Sequence, residues 1–181
     1  MMRGRRARMR FLTSSAMMAA FLSLVAPFTI PMGVLPMTLA VFALFLVASL
    51  SPVKVTFAAV ATYLAIGALG LPVFASFSGG VGVFLTPSGG FLWGYLPAAL
   101  LLSFLANKTE KILVLLLVML FSLLLLYAFG LFGFAVLTDS SLSDAFWVAV
   151  APFFLPDLLK IFAAVALVTL IKGKFRGSML E

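Results

Sequence analysis

The 181-residue sequence contains no cysteine and no histidine, and it has only five acidic residues. Without cysteine there are no disulfides and no thiolate nucleophiles, and without histidine the commonest metal ligand and proton carrier is missing as well. The pattern G-x-x-x-x-G-K-[ST] is also absent, so the chain lacks the usual loop for binding and hydrolysing ATP. These absences predict a protein that is not an enzyme and that carries no cofactor.

Charge is scarce along the whole chain. Charged residues make up 9% of the sequence and hydrophobic residues 65%, and the mean hydropathy is +1.29. Because a soluble domain carries about a quarter of its residues charged, this composition predicts an integral membrane protein whose outer surface contacts the lipid bilayer. We therefore expect residues 1–181 to form a single all-α membrane domain.

Apolar stretches separated by Pro, Gly or polar breaks predict six membrane-spanning helices, since about 20 apolar residues cross a bilayer. The first stretch follows a basic start and resembles a signal peptide, but no A-x-A cleavage site follows it, so it counts as a span. Proline residues interrupt the last span, and Pro156 is expected at or near a helix start. The predicted spans are 11–28, 37–50, 55–69, 91–106, 112–132 and 146–171.

The basic residues outside the spans all fall on one side of this topology. They occupy the N-terminal segment 1–10, the connections containing Lys54 and Lys108, and the C-terminal segment 172–181. Short loops rich in Lys and Arg stay in the cytoplasm. The pattern predicts a multi-pass protein of the bacterial plasma membrane with both termini cytoplasmic. The net charge of +7 thus marks topology and does not indicate a nucleic-acid partner.

An uncharged, glycine-rich loop at residues 69–90 is predicted to lie outside the cell. Half of the chain's 14 glycines fall between Gly70 and Gly94, and Pro72 and Pro87 also interrupt any helix there. Uncharged, non-helical backbone is tolerated between membrane helices where protein buries it or where it lines a cavity. We expect a re-entrant or capping loop whose amides face a small ligand, with candidate ligand contacts at Ser78, Gly79, Gly80, Gly82, Ser88 and Phe91.

Asp157 and Lys160 are predicted to lie within the last span, on one face of its helix because they are three residues apart. A single charge at mid-bilayer costs about 2.5–3.5 kcal/mol, so an uncompensated pair would be expensive to insert. We interpret it as a ligand-binding clamp beneath the glycine-rich loop, rather than as a pair that only neutralises itself. The carboxylate was expected to benefit from the dipole of a helix beginning near Pro156.

Three motifs resemble the signature of the biotin-specific S components of energy-coupling-factor (ECF) vitamin transporters, the BioY family. They are GLPVFASFSGGVGVFLTPSGGFLWGYLPAAL, IPMGVLPMTLAVFALFL and PFFLPDLLK. Together they cover spans one to four and six. Thr86, Ser88 and Phe91 depart from the family pattern, as do Ala40 and Pro156, whereas Asp157 and Lys160 match it.

The resemblance implies a protein that captures biotin from outside the cell. Its implied partners are a transmembrane coupling subunit and two cytoplasmic ATPase subunits. From the residues, Asp157 can accept hydrogen bonds from the ureido N–H groups, while Lys160 can meet either the ureido oxygen or the carboxylate. Phe74, Phe77, Phe84, Phe91 and Trp93 are candidates for the apolar wall.

Small residues form a stripe on the first span, with Ala16, Ala19 and Ala20 at its centre. Small side chains let helices approach closely in lipid. The resemblance implies that this stripe docks on the coupling subunit; the alternative is a packing seam inside the bundle. For the protein as a whole, the alternatives are an S component for another small vitamin and a biotin carrier that works alone.

Overall fold

The fold is that of a computed structural model, in which residues 2–109 and 111–177 are described. Met1, residue 110 and the last part of the predicted cytoplasmic C-terminus, 178–181, lie outside the described residues. The described chain forms seven α-helices, one β-hairpin and two short turns of 3₁₀ helix. The α-helices are α1 (Met2–Val25), α2 (Ala40–Leu50), α3 (Val53–Ala68), α4 (Gly89–Ala106), α5 (Ile112–Thr138), α6 (Leu142–Ala149) and α7 (Ala151–Gly177).

A short β-hairpin joins α1 to α2, where the sequence suggested only a Pro/Gly connection. Strands β1 (Thr29–Met32) and β2 (Leu35–Thr38) pair in antiparallel register, with Pro31 opposite Pro36. Gly33 occupies the turn with φ +81°, a conformation that glycine adopts without steric cost. The hairpin leaves only 11 residues for α2, which is shorter than the predicted span 37–50.

The last predicted span is divided between two helices. Ser141 caps the start of α6 by accepting a hydrogen bond from the amide of Asp144, and Val150 breaks the helical path before α7 begins. Pro156 then lies inside α7 as its sixth residue, so the expectation of a helix start there was wrong. Asp157 consequently gains nothing from a helix N-terminus, and its compensation must come from side chains.

The α-helices share one apolar core. Its fully buried members include Leu22 of α1, Phe45 of α2, Tyr63 of α3, Leu102 of α4 and Leu126 of α5. On α7 the buried residues recur at helical spacing, from Phe153 through Val168, and this face turns toward the other helices. The opposite faces of α5 and α7 expose large apolar side chains, as expected of surfaces that contact lipid.

Helices α4 and α5 approach each other closely because two glycines meet at their crossing. A Cβ atom at Gly133 would overlap the Cα atom of Gly90, and a Cβ at Gly90 would overlap the backbone of α5. Small residues allow such approach between membrane helices. The crossing brings the N-terminal turn of α4 against the second half of α5.

The two ends of the bundle differ in chemistry. At one end, the carbonyl of Ser51 accepts hydrogen bonds from Ser103 and Asn107, and Lys172 donates to the carbonyl of Ala106. Lys54 at the start of α3 and Lys108 after the end of α4 therefore lie together with the last part of α7. At the other end, Ser76 of the glycine-rich loop donates its amide to Pro27 and shares a hydroxyl bond with Thr29. The hairpin and the loop thus lie side by side.

Three of the described helices are long and apolar enough to cross a membrane by length and composition: α4, α5 and α7 up to Lys174. Helices α2 and α3 are apolar but shorter. The arginine-rich first part of α1 precedes a shorter apolar part. The prediction of a mostly helical protein with long apolar spans is confirmed for these three helices.

Candidate ligand-binding site

A cavity lies between the hairpin, the glycine-rich loop and helices α2, α3, α4, α5 and α7. Its volume is about 70 Å³. Its lining is apolar and aromatic except for a few polar groups, which is the usual composition of small-molecule sites. The lining residues are Leu35, Pro36, Thr38, Val41, Tyr63, Phe74, Ala75, Val83, Ser88, Phe91, Leu92, Tyr95, Leu126, Tyr127, Phe153, Asp157 and Lys160.

Asp157 and Lys160 are the charged residues of this lining, and they form an ion pair. The Lys160 ammonium donates to Asp157 Oδ1 at 2.7 Å, and the two side chains are 11% and 5% exposed. Lys160 also donates to the backbone carbonyl of Thr38 at 2.8 Å. Tyr127 completes the arrangement by donating its hydroxyl to Asp157 Oδ2 at 2.8 Å. We call these four residues the clamp.

Two further hydrogen bonds hold the Asp157–Lys160 pair in place. The bond to Thr38 ties α7 to the end of the hairpin, and the bond from Tyr127 ties α7 to α5. A buried ion pair is stable only when further hydrogen bonds satisfy its remaining groups, and these two bonds supply that satisfaction.

The clamp keeps unused hydrogen-bonding capacity, and its two charged residues line the cavity. A lysine ammonium has three donors, and two of those of Lys160 are engaged. Each carboxylate oxygen of Asp157 accepts one bond and has a further lone pair. The site can therefore offer one donor and adjacent acceptors to a neutral polar group.

Aromatic rings form a large part of the cavity wall. Tyr63 stacks on Tyr95 with ring centroids 6.4 Å apart, and it meets Phe74 edge-on at 5.5 Å. Phe74 in turn packs edge-on against Phe84, which meets Trp93 behind it. Of the five aromatics expected at the wall, Phe74 and Phe91 line the cavity, Phe84 supports Phe74, and Phe77 and Trp93 are mostly exposed.

The glycine-rich loop places its candidate residues unequally. Ser88 lines the cavity beside Phe91, whereas Ser78, Gly79, Gly80 and Gly82 are not in its lining. Ser78 donates both its amide and its hydroxyl to the carbonyl of Ala75. The amide of Gly80 donates to the carbonyl of Gly67 at 2.7 Å, so it is not bare as the sequence suggested.

Several glycines of the loop have a structural reason to be there. Gly80 adopts φ 99° and ψ 157°, which is open essentially to glycine alone, and a Cβ at Gly79 would overlap the backbone of Leu71. The loop is therefore a compact cover held by its own backbone bonds, with its inner side formed by Phe74, Ala75 and Val83.

Sequence reasoning missed two parts of the lining: the hairpin and the tyrosines, Tyr127 in particular. Tyr127 lies in a run of leucines in α5, a helix outside the three motifs that resemble the family. A signal was available, because a tyrosine in an apolar helix brings a hydroxyl that needs a partner. The hairpin could have been suspected from Gly33 at its turn.

The small residues of α1 separate onto two faces. Ala19 is 3% exposed and packs in the core beside the buried Ser15. Ala16 and Ala20, in contrast, are exposed. The stripe is therefore an internal seam at Ala19 and an open, small-residue face at Ala16 and Ala20.

Comparison with known proteins gives consistent matches over nearly the whole chain. The family model described as BioY matches residues 2–177. The chain is 36% identical over 164 residues to "Biotin transporter BioY" of Thermotoga maritima, covering 91% of this chain and 96% of that protein. It is 33% identical to "Probable biotin transporter BioY" of Pyrococcus horikoshii, covering 87% and 93%.

A solved structure shares the fold. The crystal structure described as the S component for biotin from an ECF-type ABC transporter superposes with a TM-score of 0.85 and 24% identity, covering 93% of each chain. The architecture of this chain is therefore that of an S component.

Proposed function

The chain belongs to the BioY family, and from that membership we propose that it binds biotin and serves as the S component of an ECF-type transporter. It captures biotin outside the cell for uptake driven by partner subunits. As a member of a transporter family it is not an enzyme, and biotin is its substrate rather than a cofactor.

The observation that carries the proposal is the clamp in an otherwise apolar cavity. Biotin combines a neutral ureido ring, an apolar thiophane ring and a carboxylate on a flexible chain. A ureido group presents a carbonyl oxygen flanked by N–H donors, which matches the free donor of Lys160 next to the acceptor oxygens of Asp157. The aromatic wall then covers the apolar ring.

The carboxylate of biotin suits the clamp less well. Asp157 lies 2.7 Å from the ammonium and neutralises it, so a second carboxylate there would meet a negative neighbour rather than a free positive charge. We infer that Lys160 donates to the ureido oxygen and that the carboxylate points away from the clamp, toward the loop side. Ser88 is a candidate donor on that side, while Ser78, Gly79 and Gly80 act by shaping the loop.

Energy for uptake comes from elsewhere, because the sequence has no ATP-binding loop. The proposed partners are a transmembrane coupling subunit and two cytoplasmic ATPase subunits. Ala16 and Ala20 form the proposed docking face, since their exposure on α1 leaves a small-residue surface that another helix can approach. Ala19 faces the core and supports the position of α1.

The proposed topology has six crossings with both termini in the cytoplasm. It is supported by the grouping of the Lys54 and Lys108 connections with the end of α7, opposite the hairpin and the glycine-rich loop. The cavity then opens toward the outer face of the plasma membrane.

Mass spectrometry of ligand that co-purifies with the protein tests the proposal. The full chain is purified in detergent from cells grown with a mixture of vitamins, and bound small molecules are released and identified. We expect biotin at close to one equivalent. Another vitamin would support the alternative of an S component for a different vitamin. Recovery of no biotin from protein purified in buffers that contain biotin would contradict the assignment.

A further inference from the structure

Two glycines that lie outside the cavity each support an aromatic ring that lines it. Gly130 lies on α5 beneath Phe91, and Gly67 lies on α3 beneath Phe74. A Cβ atom at Gly130 would overlap the ring of Phe91, and a Cβ at Gly67 would overlap the ring of Phe74. Each ring therefore rests directly on a helix backbone where a side chain would otherwise stand.

Neither glycine is explained by backbone conformation. Both lie in helices, and neither has a positive φ. Within a helix, glycine is less favourable than alanine, so its presence there usually has a packing reason. The packing reason here is the space that the two aromatic rings occupy.

Each ring is confined by its glycine on one side and lines the cavity on another. Phe74 is 1% exposed and is already held by Tyr63 and Phe84. Phe91 lies between the backbone of α5 on one side and the cavity on the other. A methyl group added beneath either ring would push it toward the ligand.

We propose that Gly67 and Gly130 are positioning residues that set the width of the cavity by seating Phe74 and Phe91. The inference rests on the proposed function, since it concerns the fit of biotin in that cavity. Biotin carries two fused rings, so a ring displaced from either wall would narrow the slot that its bicyclic head requires.

Binding of biotin to full-length variants in detergent tests this role. We expect Gly130→Ala to raise the dissociation constant for biotin about tenfold or more, since overfilling a packed site costs roughly that much in affinity. Replacing the displaced ring should rescue it: Gly130→Ala/Phe91→Leu should bind within about threefold of Phe91→Leu alone, because the added methyl then has room.

A control variant separates this effect from a general loss of packing. A Cβ at Gly133 would meet the backbone of Gly90 rather than a ring, so Gly133→Ala should lower stability and should not be rescued by Phe91→Leu. Desthiobiotin, which has one ring instead of two, should lose less affinity than biotin on Gly130→Ala. A loss of helix packing would weaken both ligands equally.

These outcomes separate the positioning role of Gly130 from the proposed binding of biotin. If the wild-type protein binds biotin and Gly130→Ala binds it equally well, or if Phe91→Leu gives no rescue, the positioning role is wrong and the proposed function stands. If the wild-type protein does not bind biotin, both are wrong. Larger loss for biotin than for desthiobiotin, with rescue, supports the role.

Discussion

Tyr127 connects α5 to the charged pair on α7, and its hydroxyl is a direct partner of Asp157 Oδ2. This bond holds the carboxylate while leaving lone pairs for a ligand. The contact joins residues 30 positions apart, so the local sequence does not show which group the hydroxyl meets.

We expect Tyr127→Phe to weaken biotin binding about tenfold, because a hydrogen bond to a charged group is worth about 1.5–3 kcal/mol and part of that loss is recovered by rearrangement. Titration of the purified protein with biotin measures the effect. If the hydroxyl acts through Asp157, the variant Tyr127→Phe/Asp157→Asn should bind no worse than Asp157→Asn alone. Strictly additive losses would contradict this coupling.

The shape of the glycine-rich loop depends largely on its backbone hydrogen bonds and on the conformations of its glycines. Gly80 lies at its centre with a positive φ and donates its amide to Gly67. Gly82 lies two residues away, has an ordinary φ and would have open space around an added Cβ atom. The two positions form a matched pair for mutation.

We expect Gly80→Ala to weaken biotin binding and to speed amide exchange across residues 77–90, since a strained residue there costs on the order of 1–3 kcal/mol. Gly82→Ala should leave both unchanged. In the wild-type protein, biotin should slow exchange over the same residues as the loop closes on it. Hydrogen exchange followed by mass spectrometry measures all three. Equal effects of the two substitutions would mean that backbone conformation at Gly80 is not what shapes the loop.

Helix α1 presents different residues to the bundle and to its surroundings. We expect Ala16→Leu to abolish biotin uptake by cells that contain the coupling and ATPase subunits, while the isolated protein still binds biotin. A bulky side chain there blocks close approach by another helix without entering the core. Ala163→Leu, at an exposed alanine of α7, is the matched control and should leave uptake intact.

The buried neighbour Ala19 gives the contrasting outcome. Ala19→Leu should lower the thermal stability of the isolated protein, because overfilling a packed core costs about 1–3 kcal/mol. If Ala16→Leu also destabilised the isolated protein, its face would be part of the bundle and the docking proposal would be wrong.

The elements differ in how far the sequence predicts them. Hydropathy identified the apolar helices, since long apolar runs such as that of α5 have few alternatives. It did not predict the hairpin at Thr29–Thr38, whose strands are only four residues long, or the helix break at Val150. Pro156 was misread because the surrounding helix continues through a proline that a soluble helix would seldom tolerate.

The sequence likewise predicts only part of the site. Asp157, Lys160, Ser88 and Phe91 were singled out from local pattern and resemblance, and all four line the cavity. The carbonyl of Thr38 and the hydroxyl of Tyr127 come from segments far along the chain, so only the fold brings them to Asp157 and Lys160. Long-range partners of this kind are not visible in a single sequence.

At the scale of the whole molecule, the proposed orientation makes a simple prediction. The chain has no cysteine, so a single introduced cysteine is a unique label. We expect Val34→Cys, in the exposed hairpin turn, to react with a membrane-impermeant maleimide on intact cells. Lys108→Cys, at the opposite end, should react only after the cells are opened. The reverse pattern would invert the topology.

The central claim is that the cavity around the clamp is the biotin site, and a calorimetric titration of stripped, full-length protein tests it most directly. We expect saturable binding of one biotin to the wild-type protein. Asp157→Asn and Lys160→Met should each weaken it about ten- to a hundredfold while the protein stays folded, because each loses a charged hydrogen-bond partner of the ureido group. Wild-type affinity in both variants would make the pair a structural neutralisation only and would contradict the account.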